Sequence, residues 1–376
     1  FTDSYLDTLR NFYSGFLNKI SAFNRDDLNK NDQISYDIFK REMEISLEGV
    51  NLHFSVNPVL MPNLQYMPFN QFEGIPLYLG QMGSGTGIQP FKTVADYDNW
   101  IKRAGGFGAW ADSAIVYFRK GMGNGYLLPR CLVIKMIPQM QAMASATNSL
   151  FYGPVNLMPA GFSAAEKSRI TGSMTRLINE TLCPAYRRLA DFLQNEYLPK
   201  SRSTIGFDDL PNGNKLYDYL IRYWTTTNKT PDEIYATGLA EVKRIREEME
   251  ETKAKTGFSG SLDSFFHFMK TDPRFMPFKT PEEVLDAFRK IQKTIDPNLK
   301  KLFGHTPRMG FAIRQTEAFR AASASAEYNP GAPDGSRPGI FYVPILDATR
   351  FNITSGMESL FLHEAIPGHH YQIALQ

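Results

Sequence analysis

The chain is short of cysteine and histidine and has no surplus of charge, and each shortage narrows what it can do. Its 2 cysteines, Cys131 and Cys183, lie far apart and form no CxxC pair, which excludes a zinc ribbon and a disulfide-built scaffold. They are either one disulfide of an exported protein or two unrelated buried thiols, and the sequence leaves both readings open. With 41 Lys and Arg against 39 Asp and Glu the formal net charge is +2, so there is no electrostatic footprint for nucleic acid or for an anionic membrane. No apolar run reaches about 18 residues, so no transmembrane helix is expected. The first residue is Phe1 rather than Met, which predicts a processed or trimmed start from which a signal peptide has been removed. Internal repeats and low-complexity tracts are absent. Two glycine clusters, Gly83-Ser84-Gly85-Thr86-Gly87 and Gly121-Met122-Gly123-Asn124-Gly125, resemble phosphate-cradling loops only in glycine content, because neither carries the P-loop lysine.

What is present points to a large, mostly helical protein. A 43% hydrophobic share with 21% charged residues suits a substantial core, and 28 Phe with 18 Tyr are enough for that core and for the lining of a cleft. At 376 residues the chain is two domains or one large helical body with lobes. Helical spacing of Phe12, Phe16 and Ile20 makes the stretch up to about Val50 helical, with Ser35 as the cap of a second helix. Residues 51–92, rich in Pro, Gly and Asn, read as long loop with short strands. Ser163-Ala164-Ala165-Glu166 is a capping box opening one long helix to Leu198, with a break at Pro184. Thr230-Pro231-Asp232-Glu233 and Thr280-Pro281-Glu282-Glu283 open two more. After Phe303 the character changes. Met309–Arg314 and Gly339–Leu346 read as short strands flanking a turn-rich segment, Tyr328 to Gly339, and a helix from Gly356 to Gln376 follows. The expected division is therefore a helical body over 1–302, including the loop-rich 51–92, and a small sheet with the last helix over 303–376.

That last helix holds three of the 6 histidines, in His363-Glu364-Ala365-Ile366-Pro367-Gly368-His369-His370. A hydrolytic zinc needs protein ligands, an open position for water and a carboxylate to take that water's proton. In the common His-Glu-x-x-His pattern two imidazoles four residues apart share one helical face. Here the fourth position is Pro367, and the candidates for the second imidazole are His369 and His370. On a straight helix His369 points about 120° away from His363. His370 returns to the same face about 10 Å further along. Neither suits one ion with bonds of about 2.0–2.1 Å, so zinc binding requires an irregular helix. Pro367 lacks the N–H owed to the His363 carbonyl, and Gly368 tolerates unusual backbone angles, so the break is expected there. The remaining histidines, His53, His267 and His305, are isolated and read as packed or surface residues. The Asn-x-Thr sequons at Asn179, Asn228 and Asn352 bear only on a eukaryotic secretory setting.

With these residues in hand, the chain resembles the bacterial family catalogued as domain of unknown function 885, grouped with gluzincin-like metallopeptidases. The matching hallmark is His363, Glu364, Pro367, Gly368, His369 and Gln372. Two further stretches match, Leu210 to Val242 and Asp334 to Tyr342. The resemblance implies a mostly α, metallopeptidase-like body with a deep cleft and a small β-sheet beside the motif helix. It implies one zinc ion on His363 and His369, with His370 as the alternative ligand, and Glu364 as general base. A third ligand, usually a glutamate on the next helix, is expected beyond Gln376. The chain then reads as an N-terminal portion ending just after the motif, weak in metal binding and inactive alone. Tyr342 and Arg337, just before the motif helix, become candidate contacts for a peptide substrate. Export to the bacterial periplasm or outer surface, with a lipid anchor on a removed N-terminus, is the location the resemblance implies; a cytoplasmic one stays open. Two rivals to the peptidase remain: a non-catalytic relative that binds peptides or a partner, and a zinc hydrolase of another amide bond.

Overall fold

Three helix starts in this chain pair a hydroxyl with an acid three residues on, and the computed structural model shows each of these pairs closing two orphan backbone N–H groups. Ser163 accepts from the Glu166 N–H at 3.3 Å while the Glu166 carboxylate accepts from the Ser163 N–H at 2.8 Å. Thr230 and Glu233 make the same exchange at 3.2 and 2.8 Å. Thr93 and Asp96 repeat it at 3.2 and 2.8 Å. The structure describes residues 1–55, 63–85, 89–147, 149–316, 321, 324–332, 334–335 and 337–376. Asn57-Pro58, Met61-Pro62, Thr86, Gly87, Pro333 and Ser336 of the expected loops lie outside the described residues. The fold is mostly α, in two compact units, Phe1–Ala236 and Thr237–Gln376.

The first unit begins with α1 (Asp3–Ser21) and α2 (Lys30–Asn51). The cap of α2 is Asn29, whose side chain accepts from the Asp32 N–H at 3.0 Å. Ser35 lies inside α2, its hydroxyl bonded back to the Asn31 carbonyl at 3.2 Å, so the expected Ser35 cap is corrected. Within 51–92 the short strands β1 (Phe54–Ser55) and β2 (Asn63–Leu64) pair antiparallel. The same stretch also holds a helix that composition hid, α3 (Ile75–Gly83), with Leu79 and Gly83 buried. Gly83 closes it because a Cβ there would overlap Phe151 and Trp100. Then come α4 (Val94–Gly105), α5 (Phe107–Asn124), α6 (Arg130–Met143) and the single turn α7 (Gly153–Asn156). Gly121 of the second glycine cluster sits inside α5 against the Tyr66 and Tyr126 carbonyls, so packing explains it and no phosphate is needed. The long helix predicted from Ser163 runs as α8 (Ala164–Arg176), a π turn over Leu177–Leu182, α9 (Cys183–Phe192), a second π turn over Leu193–Tyr197 and a tight last turn, Leu198–Lys200. Pro184 does not break it. The wider π turn just ahead absorbs the missing N–H. The helix α10 (Gly213–Thr225) follows, and α11 (Pro231–Lys255) runs from the end of the first unit into the second. Cys131 is exposed and Cys183 buried, and both are free thiols.

This unit's core is aromatic, with Trp100, Tyr97, Tyr186, Tyr197, Phe69, Phe118 and Phe151 fully buried. Three of its tyrosine hydroxyls have matched partners. Tyr97 donates to the Pro154 carbonyl at 2.8 Å, Tyr186 donates to the Pro76 carbonyl at 2.6 Å, and Tyr197 accepts from the Leu128 N–H at 2.8 Å. Removing such a donor strands a buried acceptor. Tyr186→Phe should therefore lower the unfolding free energy by about 1–3 kcal/mol, read from urea midpoints at unchanged slope. A change within error would show that the Pro76 carbonyl finds water.

In the second unit α12 (Leu262–Thr271) and α13 (Pro281–Leu299) precede a three-stranded sheet. Thr280 caps α13 as its sequence predicts, accepting from the Glu283 N–H at 3.4 Å. The strands are β3 (Phe311–Gln315), β4 (Glu327–Asn329) and β5 (Gly339–Val343), in spatial order β3-β5-β4. β3 runs parallel to β5, with Ile313 opposite Phe341; β4 runs antiparallel, with Tyr328 opposite Phe341. β4 falls where the sequence shows only a turn-rich segment. In β5, Gly339, Ile340, Phe341 and Val343 are all buried, as a central strand covered on both faces requires. Phe341 meets Phe288 of α13 at 5.3 Å and Phe361 at 6.0 Å between ring centroids. The motif segment thus lies beside the sheet, in one apolar core with it.

Candidate metal centre

The predicted helix from Gly356 to Gln376 is two helices. α14 (Met357–Glu364) stops at Ala365, whose φ of −104° and ψ of −99° leave the helical region. The Ile366–Pro367 peptide bond is cis, and α15 (His369–Leu375) starts after Gly368. The Ala365 N–H still bonds to the Phe361 carbonyl at 2.9 Å, but the Gly368 N–H reaches back six residues to the Leu362 carbonyl at 2.8 Å. That bond gives the Leu362 carbonyl a partner where the regular helical ladder has lapsed. It also folds the backbone tightly: a Cβ on Gly368 would overlap the carbonyl of His363. Only glycine allows that approach.

The turn brings His369 round to His363. Their rings stand 4.7 Å apart between centroids and cross at 83°. Glu364 Oε2 is 3.9 Å from His369 Nε2. One ligand-capable atom from each of His363, Glu364 and His369 lies within 4.8 Å of the others. Ligands of one tetrahedral zinc with bonds of about 2.0–2.1 Å sit about 3.4 Å apart, so closure by roughly an ångström would bring this group to coordination distance. Two imidazoles and a carboxylate are also the donors zinc accepts. Glu364 is 8% exposed, while His363 lies open to solvent. Among the described residues no second group of three such side chains comes together.

His370 goes elsewhere. It is 3% exposed, and its Nδ1 lies 2.8 Å from the Tyr328 hydroxyl on β4. Burial pushes its pKa below the ordinary imidazole value, against a bond to the Met309 carbonyl that raises it. The Phe311 ring of β3 packs on it at 4.9 Å. The sequence marked Met309 and Tyr328 only as the first residues of a short strand and of a turn-rich segment, with nothing to pair them with a histidine.

Tyr342 and Arg337 lie on and just before the central strand of the sheet. Tyr342 is half-buried on β5, opposite Glu327 in one register and Arg314 in the other. Because β5 is the central strand, its main chain is already flanked on both sides. Strand addition of a peptide falls to the sheet's edges, β3 or β4. Arg337 donates to the Pro330 carbonyl at 2.6 Å and the Pro338 carbonyl at 3.4 Å, tying its own turn together. His53 bonds to Gln65 at 2.8 Å, and His267 and His305 are exposed.

The chain belongs to the family described as "Bacterial protein of unknown function (DUF885)", whose pattern matches residues 1–376. It is similar in fold to the crystal structure of the "putative lipoprotein from Colwellia psychrerythraea", with a TM-score of 0.87 at 21% identity. The match covers 97% of this chain and 63% of that one, so the chain spans under two thirds of its neighbour's length. At that identity the likeness is one of fold. No curated protein matches the sequence significantly.

Proposed function

We propose that the protein is a zinc-dependent peptidase, with His363 and His369 as metal ligands and Glu364 as general base. The observation that carries this reading is the convergence of those three side chains within 4.8 Å across a broken helix. Zinc held there supplies Lewis-acid polarisation of the scissile carbonyl and acidifies water. Glu364 is nearly buried, with its Oε2 3.9 Å from His369 Nε2, and in this reading its carboxylate takes the proton of an attacking water. It then returns that proton to the leaving amine as the C–N bond breaks, and the acid and amine products balance the water consumed. The two imidazole rings cross at 83° with their centroids 4.7 Å apart, so a small closure would let both offer a nitrogen to one ion. The peptide would lie in a cleft beside the sheet, with Tyr342 and Arg337 as candidate contacts. A fold shared with a protein described as a lipoprotein agrees with an exported, lipid-anchored setting.

The test is zinc titration of the whole encoded protein, followed by cleavage of a mixed peptide library. One zinc per chain is expected, with affinity reduced by at least a hundredfold in His363→Ala and in His369→Ala. Wild-type protein without zinc overturns the reading. Full zinc occupancy with no cleaved peptide favours the non-catalytic binding rival, and hydrolysis of acyl-amides alone favours the other.

A further inference from the structure

The proposed reaction uses neither His370, nor Tyr328, nor the turn that follows Tyr328. All of them converge on one buried spot. The His370 ring sits in a seat built from the sheet, with Phe311 of β3 on one side and the Tyr328 hydroxyl of β4 at 2.8 Å on another. Tyr328 in turn bonds to the Gly331 backbone, and the His370 ring to the Met309 carbonyl. The imidazole therefore has partners of both kinds, a carbonyl that can only accept and a hydroxyl that can do either. Two glycines keep the seat open. A Cβ on Gly339 would overlap the Tyr328 hydroxyl, and one on Gly331 would overlap the Met309 sulfur. Arg337 closes the turn around them through the Pro330 carbonyl. Tyr328 is itself fixed by strand pairing, opposite Phe341.

The seat matters because of where α15 begins. It starts at His369, after a turn in which the helical bonding of α14 has lapsed. Consecutive helical residues point about 100° apart, so the direction of His370 fixes that of His369. We infer that His370 and Tyr328 are positioning residues: their hydrogen bond sets the rotation of α15 on the sheet and so aims His369 at His363 and Glu364. The effect on metal binding rests on the zinc reading above; the effect on α15 does not.

The experiment uses Tyr328→Phe, which removes the hydroxyl and keeps the ring, in the whole encoded protein. Zinc affinity should fall about 10–100-fold, the range for residues that orient a ligand. The visible bands of the cobalt-substituted protein should move as the ligand geometry loosens. Tyr186→Phe, which also removes a buried hydroxyl, is the control and should leave affinity and cobalt bands as in wild type. His370→Asn, whose amide can still accept from Tyr328, should bind zinc better than His370→Ala. If wild type binds zinc and Tyr328→Phe matches it in affinity and bands, the inference is overturned. If wild type binds no zinc, the peptidase reading fails, and the inference is judged by amide exchange in the metal-free protein. Faster exchange over α15 in Tyr328→Phe supports it then, and unchanged exchange sinks it. Should Tyr328→Phe not fold, the comparison of His370→Asn with His370→Ala decides.

Discussion

Glu364→Gln should keep its zinc and lose turnover by a factor on the order of 10²–10⁴, which is the usual contribution of a positioned general base. In barrier terms that is about 3–5 kcal/mol, at about 1.36 kcal/mol per tenfold. The substitution is chosen because glutamine has the same shape and can still accept a hydrogen bond through its carbonyl, but it cannot take a proton. Shape matters here because Glu364 is nearly buried between His363 and Ala365 at the end of α14, where a smaller residue would leave a void. The measurement is kcat at a verified stoichiometry of one zinc per chain. If zinc is lost along with turnover, Glu364 is a ligand, as its place within 4.8 Å of both imidazole nitrogens also permits. If turnover survives with zinc bound, the proton is taken by another group and the assignment fails.

How much of this was legible in the sequence depended on the range of the interactions involved. Local chemistry was readable. The hydroxyl–acid pairs at Ser163, Thr230 and Thr280 opened helices as their spacing predicts, because both partners lie within one turn. The break at Pro367-Gly368 was readable for the same reason, since a missing N–H is a property of one residue. What failed was either competition or distance. Ser35 looks like a cap, but Asn29 stands earlier in the chain and takes the role. α3 hides in a glycine-rich stretch because its glycines pack against Trp100, Met143 and Phe151, all of them outside that stretch. Pro184 looks like a break, but a π turn accommodates it. His370 looks as good a ligand as His369 until Tyr328, 42 residues earlier, is seen beside it. No window of sequence holds both.

Gly368→Ala should damage the metal centre more than its single methyl group suggests. The added Cβ would overlap the His363 carbonyl and come within 2.5 Å of the Leu362 carbonyl oxygen. Both obstacles are backbone, so no side chain can swing away to make room. The movement must fall on the last turn of α14 or the start of α15, which carry His363 and His369. The alanine should therefore cost about 1–3 kcal/mol of stability, the range for overpacking, and zinc affinity should fall by at least tenfold as the two imidazoles separate. Gly172→Ala gives the contrast. It lies inside α8 with nothing within 4 Å of its added Cβ. There alanine removes backbone freedom from the unfolded chain and should stabilise by about 0.4–1 kcal/mol, with zinc affinity unchanged. Urea unfolding and zinc competition on the two variants separate the effects. Wild-type stability and affinity in Gly368→Ala would mean that the turn can open without disturbing the histidines. The close contact of Gly368 with His363 would then be incidental to the site. A loss confined to zinc affinity, with stability intact, would place the methyl group's whole effect on the aim of the two imidazoles. That outcome would show the Pro367-Gly368 turn to be a device for ligand geometry rather than for folding.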